Sequence, residues 1–367
     1  MKIKNIISVL LCGAFVLALA AWCVFGPKAD YSESERRALA KFPEITWENI
    51  SSGKFASGFE DYATDAFPMR DMWRTIKAYT RLGVFAQKDN NDIFLKGDQI
   101  GKLEYPMKPD MMNYAAKLFT KVWEKNFPNA QVYFAMIPDK NKDMADLKLD
   151  YAQFEAQMQE KLPFATPIEI SDLLSAEDYY NTDTHWRQEK ITDVADRLAE
   201  AMGTTLPSEY NETKLDLDFY GVYAGQSAMN PDPDTITVLT NEVIDGLKVQ
   251  ILDAQVGNMV TTPVYNMDKA NGKDPYELFL SGNQALVKIT NPANTSGKRL
   301  IIFRDSFGSS ITPLLAQGYS EVVLLDLRYL GSDFVGQFAK TGLVNFKNAD
   351  VLFMYSTLLL NNSTGMK

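Results

Sequence analysis

A chain of 367 residues with 47 acidic and 37 basic side chains, a formal net charge of −10, has room for an enzyme-sized domain plus an anchor or insertion. Hydrophobic residues make up 46% and charged residues 23%, which excludes a disordered chain. The acidic balance and the lack of any Lys/Arg cluster exclude a nucleic-acid surface, because phosphates require concentrated positive charge.

At the N-terminus, Lys2 and Lys4 precede an uncharged run from Ile6 to Phe25, ended by Gly26-Pro27-Lys28. Its 20 residues match the thickness of a bilayer as a helix. Ala18-Leu19-Ala20 is only a weak version of the exit site of a cleaved signal. Residues 1–27 therefore read as an uncleaved single-pass anchor in the cell membrane, with the lysines cytoplasmic and the rest of the chain extracytoplasmic. That body, residues 28–367, carries 35 basic and 47 acidic side chains. Both cysteines, Cys12 and Cys23, lie in the apolar run, so the body can form no disulfide and use no cysteine nucleophile. Trp22 is too bulky a neighbour for a lipid-modified Cys23.

Residues 28–82 read as a stalk and helical lead-in, charged at first and then aromatic through Trp47, Phe55, Phe59 and Tyr62. Residues 83–367 read as the main α/β domain. A short strand is expected at Ile93–Leu95, a helix carrying Met111, Ala115, Leu118, Phe119 and Val122, and a strand at Val132–Ile137. A second helix is expected from about Trp186 to Met202, with Gly203 as its C-terminal cap. Residues 204–296 change to short β-branched runs between turn signals and read as a β-rich insertion. Leu300–Phe303, Val322–Leu327 and Val351–Tyr355 are continuous apolar strands joined by helix-length segments, the mark of a mainly parallel sheet covered on both faces. A helix is expected from about Gly308 to Ala316, with Pro313 near its first turn.

His185 is the single histidine, so any imidazole mechanism must use it. It stands in Asn181-Thr182-Asp183-Thr184-His185-Trp186. One reading is structural: Asp183 or Thr184 caps a helix, His185 is a surface residue and Trp186 is core. The other is catalytic. Ser306 follows the strand Leu300–Phe303 at a tight strand-to-helix turn, at the carboxyl edge where open α/β sheets bind ligands. A serine hydroxyl needs an imidazole to take its proton and an acid to stabilise the imidazolium; Ser306, His185 and Asp183 supply all three types. Backbone N–H groups at the start of the following helix would be donors to an oxyanion. One histidine and no exported cysteine give metal catalysis little support, and no Walker loop or GxSxG elbow is present. Acyl transfer or ester hydrolysis follows, with no cofactor or metal.

Asp183-Thr184-His185-Trp186 together with Arg304-Asp305-Ser306-Phe307-Gly308 resembles the DHHW family of bacterial envelope proteins, which are similar to the alginate O-acetylation proteins AlgX and AlgJ. Further pieces are Glu33 to Pro43, Gly53 through Asp71, Pro138-Asp139-Lys140, Ile289 through Pro292 and Leu325 to Tyr329. The resemblance implies an SGNH-hydrolase-like three-layer fold over 83–367, with Ser306 as nucleophile, His185 as base and Asp183 as its partner. Thr184 stands where the name motif has its first histidine, and Arg304 where many SGNH enzymes have glycine. The oxyanion hole is therefore not placed: Ser281-Gly282-Asn283 is a candidate, but it reads first as a turn between strands.

Arg328 could bind an anionic sugar or pair with Asp326; Tyr180, Trp186 and Tyr329 could stack on sugar rings or be core; Lys140 is a similar case. The expected function is a membrane-anchored O-acetyltransferase acting on a cell-envelope or exopolysaccharide through an acetyl-serine. The resemblance implies a multi-spanning membrane O-acyltransferase as partner. A carbohydrate acetyl esterase with the same triad, and a non-catalytic polysaccharide-binding scaffold, are the alternatives.

Overall fold

The computed structural model describes residues 3–32, 34–253 and 257–367; Lys2 and Glu33, named above, lie outside the described residues. The chain divides into two compact units, Met1–Phe94 with Val222–Pro231, and Leu95–Gly221 with Asp232–Lys367.

In the first unit, helix α1 (Ile3–Phe25) runs for 23 residues with none of its side chains buried. At ~1.5 Å per residue that length exceeds a hydrocarbon core of ~30 Å. A two-stranded hairpin, Tyr31–Ser32 with Arg37–Ala38, leads to α2 (Trp47–Ser51), α3 (Lys54–Asp65) and α4 (Arg70–Tyr79). Thr46 caps α2 by accepting the Asn49 N–H. Polar groups hold the unit together: Arg37 meets Asp65 at 2.6 Å, and Arg70 reaches Glu35 at 2.6 Å and Asp65 at 3.2 Å.

The second unit is built on an eight-stranded sheet. Its strands are β1 (Val132–Ile137), β2 (Thr166–Pro167), β3 (Lys248–Asp253), β4 (Asn258–Thr262), β5 (Leu286–Thr290), β6 (Arg299–Arg304), β7 (Glu321–Leu325) and β8 (Ala349–Ser356). They lie in the order β4-β3-β5-β7-β6-β8-β1-β2. β7, β6, β8, β1 and β2 pair in parallel, with Phe303 of β6 opposite Leu325 and Phe353. β5, β3 and β4 continue the sheet antiparallel. In the region 204–296, β3, β4 and β5 extend the central sheet, and a separate pair, Asn211–Lys214 with Thr237–Thr240, lies outside it.

Strand side chains alternate between two buried layers. Leu300 and Ile302 face a core shared with α7 (Thr192–Ala201) and α8 (Gly308–Leu315). Ile301 and Phe303 face the opposite core, shared with α5 (Pro109–Asn126) and α6 (Tyr151–Lys161). Burying both faces requires the continuous apolar runs read in the sequence, each large side chain contributing ~1.5–3 kcal/mol. The fold is the mainly parallel three-layer α/β arrangement expected.

Two elements differ. The expected helix from Trp186 begins only at Thr192, after a short 3₁₀ turn at Gln188–Lys190. Before it the chain is a bent loop over 181–185, closed by a bridge between Tyr179 and Trp186 in which the Tyr180 N–H donates to the His185 carbonyl at 3.0 Å. Gly203 does end the helix, with φ +69° and its N–H on the Glu200 carbonyl. Pro313 lies inside α8 rather than in its first turn.

Candidate active site

Strand β6 delivers the Arg304–Phe307 turn to the carboxyl edge of the sheet. Asp305 fixes its path: one carboxylate oxygen accepts the Ser356 N–H at 2.8 Å and the other the Phe307 N–H at 3.1 Å. Gly308 is required at the start of α8, since a Cβ there would lie 2.7 Å from the Arg304 Cβ. Arg304, in place of the glycine of many SGNH enzymes, is fully buried and lies 3.6 Å from the equally buried Asp326.

The segment carrying His185 is held by a residue that the sequence does not single out. The Asp234 carboxylate accepts the N–H groups of Asn181 at 2.8 Å and Thr182 at 2.7 Å, and the Thr182 hydroxyl at 2.6 Å. Thr182 Oγ1 in turn accepts the Gly221 N–H at 2.8 Å. A side chain at Gly221 would sit 2.3 Å from the Asp183 Cβ. Beneath the segment, buried Lys140 donates to the carbonyls of Tyr180 at 2.9 Å and Asn181 at 3.1 Å.

These supports bring together three groups 121 and 123 positions apart in the chain. His185 Nε2 lies 2.7 Å from Ser306 Oγ, and His185 Nδ1 lies 2.6 Å from Asp183 Oδ1. The same Asp183 oxygen accepts the His185 backbone N–H at 3.0 Å, so Asp183 orients its own imidazole instead of capping a helix. With Nδ1–H directed at a carboxylate, the Nε2 lone pair is left for the serine proton. The ring also stacks on Tyr276, centroids 3.9 Å apart and planes within 10°. Tyr276 donates its hydroxyl to Ser310 at 2.8 Å, and Trp186 donates its indole N–H to the same oxygen at 2.9 Å. Burial pushes the Tyr276 phenol far above its usual range, which keeps it a neutral donor.

The other residues singled out fall into two groups. Trp186, Tyr180 and Lys140 are fully buried, so none of them can meet a sugar ring or hydroxyl. The Trp186 indole N–H and the Lys140 amine are bonded within the structure beneath the imidazole, and the Tyr180 ring packs edge-on against Phe219 and Tyr276. Gly282 is buried as well, in a turn where Leu280, Ser281 and Gly282 all have positive φ, and its carbonyl receives Arg304 at 3.4 Å. Ser281-Gly282-Asn283 is thus a turn between strands. Arg328 is paired with Asp326 at 2.6 Å and also reaches the Asn283 side chain at 3.4 Å. Asn283 and Tyr329 are exposed, and the Arg328 guanidinium lies over the Tyr329 ring at 5.4 Å. At the turn itself the N–H groups of Phe307, Gly308 and Ser309 bond locally to Asp305 and Ser306, which removes them as free oxyanion donors. Among the described residues, no cluster of three or more His, Cys, Asp or Glu could hold a metal ion.

Tyr276 and Asp234 are the site residues the sequence hides. Tyr276 is one of 17 tyrosines, and Asp234 closes a Pro-Asp-Pro-Asp stretch that reads as a turn.

No family model and no curated protein matches the chain. Solved structures do. A DHHW family protein from Eubacterium siraeum DSM 15702 is 21% identical, with a TM-score of 0.60 over 76% of this chain and 95% of its own. Bacillus cereus PatB1, solved with a sulfonyl adduct, is 20% identical, with a TM-score of 0.57 over 74% of this chain and 97% of its own. The O-acetyltransferase domain of Pseudomonas putida AlgJ is 13% identical, with a TM-score of 0.43 over 74% and 93%. The first two share the fold of this chain, in agreement with the DHHW resemblance read from Asp183–Trp186 and Arg304–Gly308.

Proposed function

We propose that this chain is a serine-dependent O-acetyltransferase, anchored in the membrane by α1, that acetylates hydroxyl groups of an extracytoplasmic polysaccharide. The observation that carries the proposal is the continuous contact from Asp183 through His185 to Ser306, at 2.6 Å and 2.7 Å. In the first half-reaction His185 Nε2 takes the Ser306 proton as Oγ attacks the acetyl carbonyl. The donor group leaves with that proton, and acetyl-Ser306 remains. In the second, His185 takes the proton of a sugar hydroxyl, whose oxygen attacks the ester, and returns it to Ser306 Oγ as the bond from acetyl to serine breaks. The Ser306 N–H, outside the local bonds of the turn, is the backbone donor assigned to the developing oxyanion. Tyr329 and Asn283, exposed beside Arg328, are the residues proposed to meet the sugar. Acetyl-CoA is cytoplasmic, so a multi-spanning membrane acyltransferase is the proposed supplier of acetyl groups.

The test is acetyl release from a chromogenic acetyl ester by the full chain in detergent, with and without polysaccharide acceptors. Release and transfer are expected, each falling by ~10³-fold or more in Ser306→Ala and His185→Ala. Release without transfer to any acceptor would favour the esterase. Equal inactivity of parent and variants on every donor and acceptor would leave a binding scaffold.

A further inference from the structure

Helix α4 is built inside out. Met69, Met72, Trp73, Ile76 and Tyr79 recur at steps of three and four and so form one stripe. That stripe is exposed, Met69 by 63% and Ile76 by 47%. The charged side chains Arg70 and Arg74 are instead only 15% and 18% exposed, turned inward onto Glu35. In water both the hydrophobic effect and ion solvation favour the reverse arrangement. An apolar phase is therefore needed outside the stripe.

Two observations identify that phase as lipid. First, α4 starts beside the end of α1: Met69 and Met72 line one groove with Trp22, Pro27 and Lys28, and the Tyr62 hydroxyl donates to the Cys23 carbonyl at 3.4 Å. Second, charge is unevenly divided. Residues 28–94 carry ten basic and eleven acidic side chains and 222–231 none, whereas 95–367 carry 25 and 36. The near-neutral unit can approach an anionic lipid surface without the repulsion an acidic one would meet. Trp and Tyr are also the side chains that favour the boundary between lipid and water.

We infer that the α4 stripe lies in the lipid–water interface of the bilayer, an inference that rests on α1 spanning that bilayer. The first unit then has two seats on the membrane: one helix across it and one, about three turns long, in its plane.

The test uses the full chain with Cys12→Ser and Cys23→Ser, carrying one new cysteine at a time for an environment-sensitive fluorophore. Ile76→Cys and Tyr79→Cys probe the stripe, Val16→Cys probes α1, and Glu160→Cys reports a water-exposed site. Each variant is reconstituted in phosphatidylcholine–phosphatidylglycerol vesicles and exposed to headgroup-level or mid-chain nitroxide lipids, or to iodide. Labels at 76 and 79 should shift to the blue and lose roughly half their emission to headgroup-level nitroxides, with little effect of iodide. The label at 16 should respond to mid-chain nitroxides and the label at 160 to iodide alone. If 76 and 79 respond only to iodide while 16 remains in lipid, the stripe is in water and the inference fails alone. If 16 is in water as well, the membrane span fails with it. Labels at 76 and 79 screened from both quenchers would mean that protein covers the stripe, which also overturns the inference.

Discussion

An imidazole 2.7 Å from a serine hydroxyl is useful only if it holds one orientation and one tautomer. Asp183 supplies the tautomer and Tyr276 the orientation, and the two contributions separate on mutation. Asp183→Asn keeps the shape of the site but removes the carboxylate that favours Nδ1–H; kcat should fall by ~10²–10⁴-fold with the fold intact by circular dichroism. Tyr276→Phe keeps the stacked ring and deletes the hydroxyl bond to Ser310, so it should lower stability by ~1 kcal/mol and kcat only slightly. An imidazole that must accept a proton stops working once protonated. Ser306, His185 and Asp183 were legible in the sequence because a chain with one histidine leaves little choice, and Ser306 stands at the end of an apolar strand. Trp186 and Tyr180 take the core reading of the two open to them, since aromatic rings beside such a segment serve as readily to pack it from beneath as to meet a ligand.

The element that matters most is an irregular one, the bent loop from Tyr179 to Trp186. The apolar spacing after Trp186 suggested a helix, but tertiary bonds decided otherwise. The Trp186 indole N–H and the Gln188 amide both bond to groups of α8, at 2.9 Å and 2.7 Å, and draw the chain out before α7 can start. Such pairings join residues far apart in sequence and leave no local signal. Asp234 is the segment's main fastening, with three donors on one carboxylate. Asp234→Ala should cost ~2–4 kcal/mol in chemical denaturation and reduce kcat as well, since the unsatisfied N–H groups lie one and two positions before Asp183 and three and four before His185. Lys140 permits a test with a defined sign. Burial lowers its pKa from 10.5 to about 8. Between those values the unfolded chain binds a proton that the folded chain does not, so this group makes stability rise with pH from about 8 to 10.5; as pH falls through 8 the contribution is lost. Lys140→Met should remove that rise, seen as a smaller change in denaturation midpoint between pH 8 and pH 10 than in the parent. An unchanged difference would mean that Lys140 titrates normally.

Across the whole molecule, the parallel core of the sheet could be read because Leu300–Phe303 and Val351–Tyr355 are apolar at every position, as strands covered on both faces must be. That β3, β4 and β5 extend the same sheet could not, because edge pairing depends on register with distant strands, and short β-branched runs suit an insertion equally well. The N-terminal apolar helix was legible for the opposite reason: twenty uncharged residues need no partner to be recognised. Removing residues 1–27 should convert the protein from an integral to a peripheral one, stripped from membranes by alkaline carbonate on cell fractionation, and resistance to that extraction would show that α1 is not what anchors it. At this scale the account depends on chemistry at one oxygen atom. Its most direct measurement is mass spectrometry of the full chain, acid-quenched shortly after mixing with an acetyl donor and digested to peptides. One acetyl group is predicted on Ser306 in the parent, lost when acceptor polysaccharide is added and absent in His185→Ala. Transfer of acetyl to the polysaccharide by a Ser306→Ala protein at the parent's rate would contradict the account.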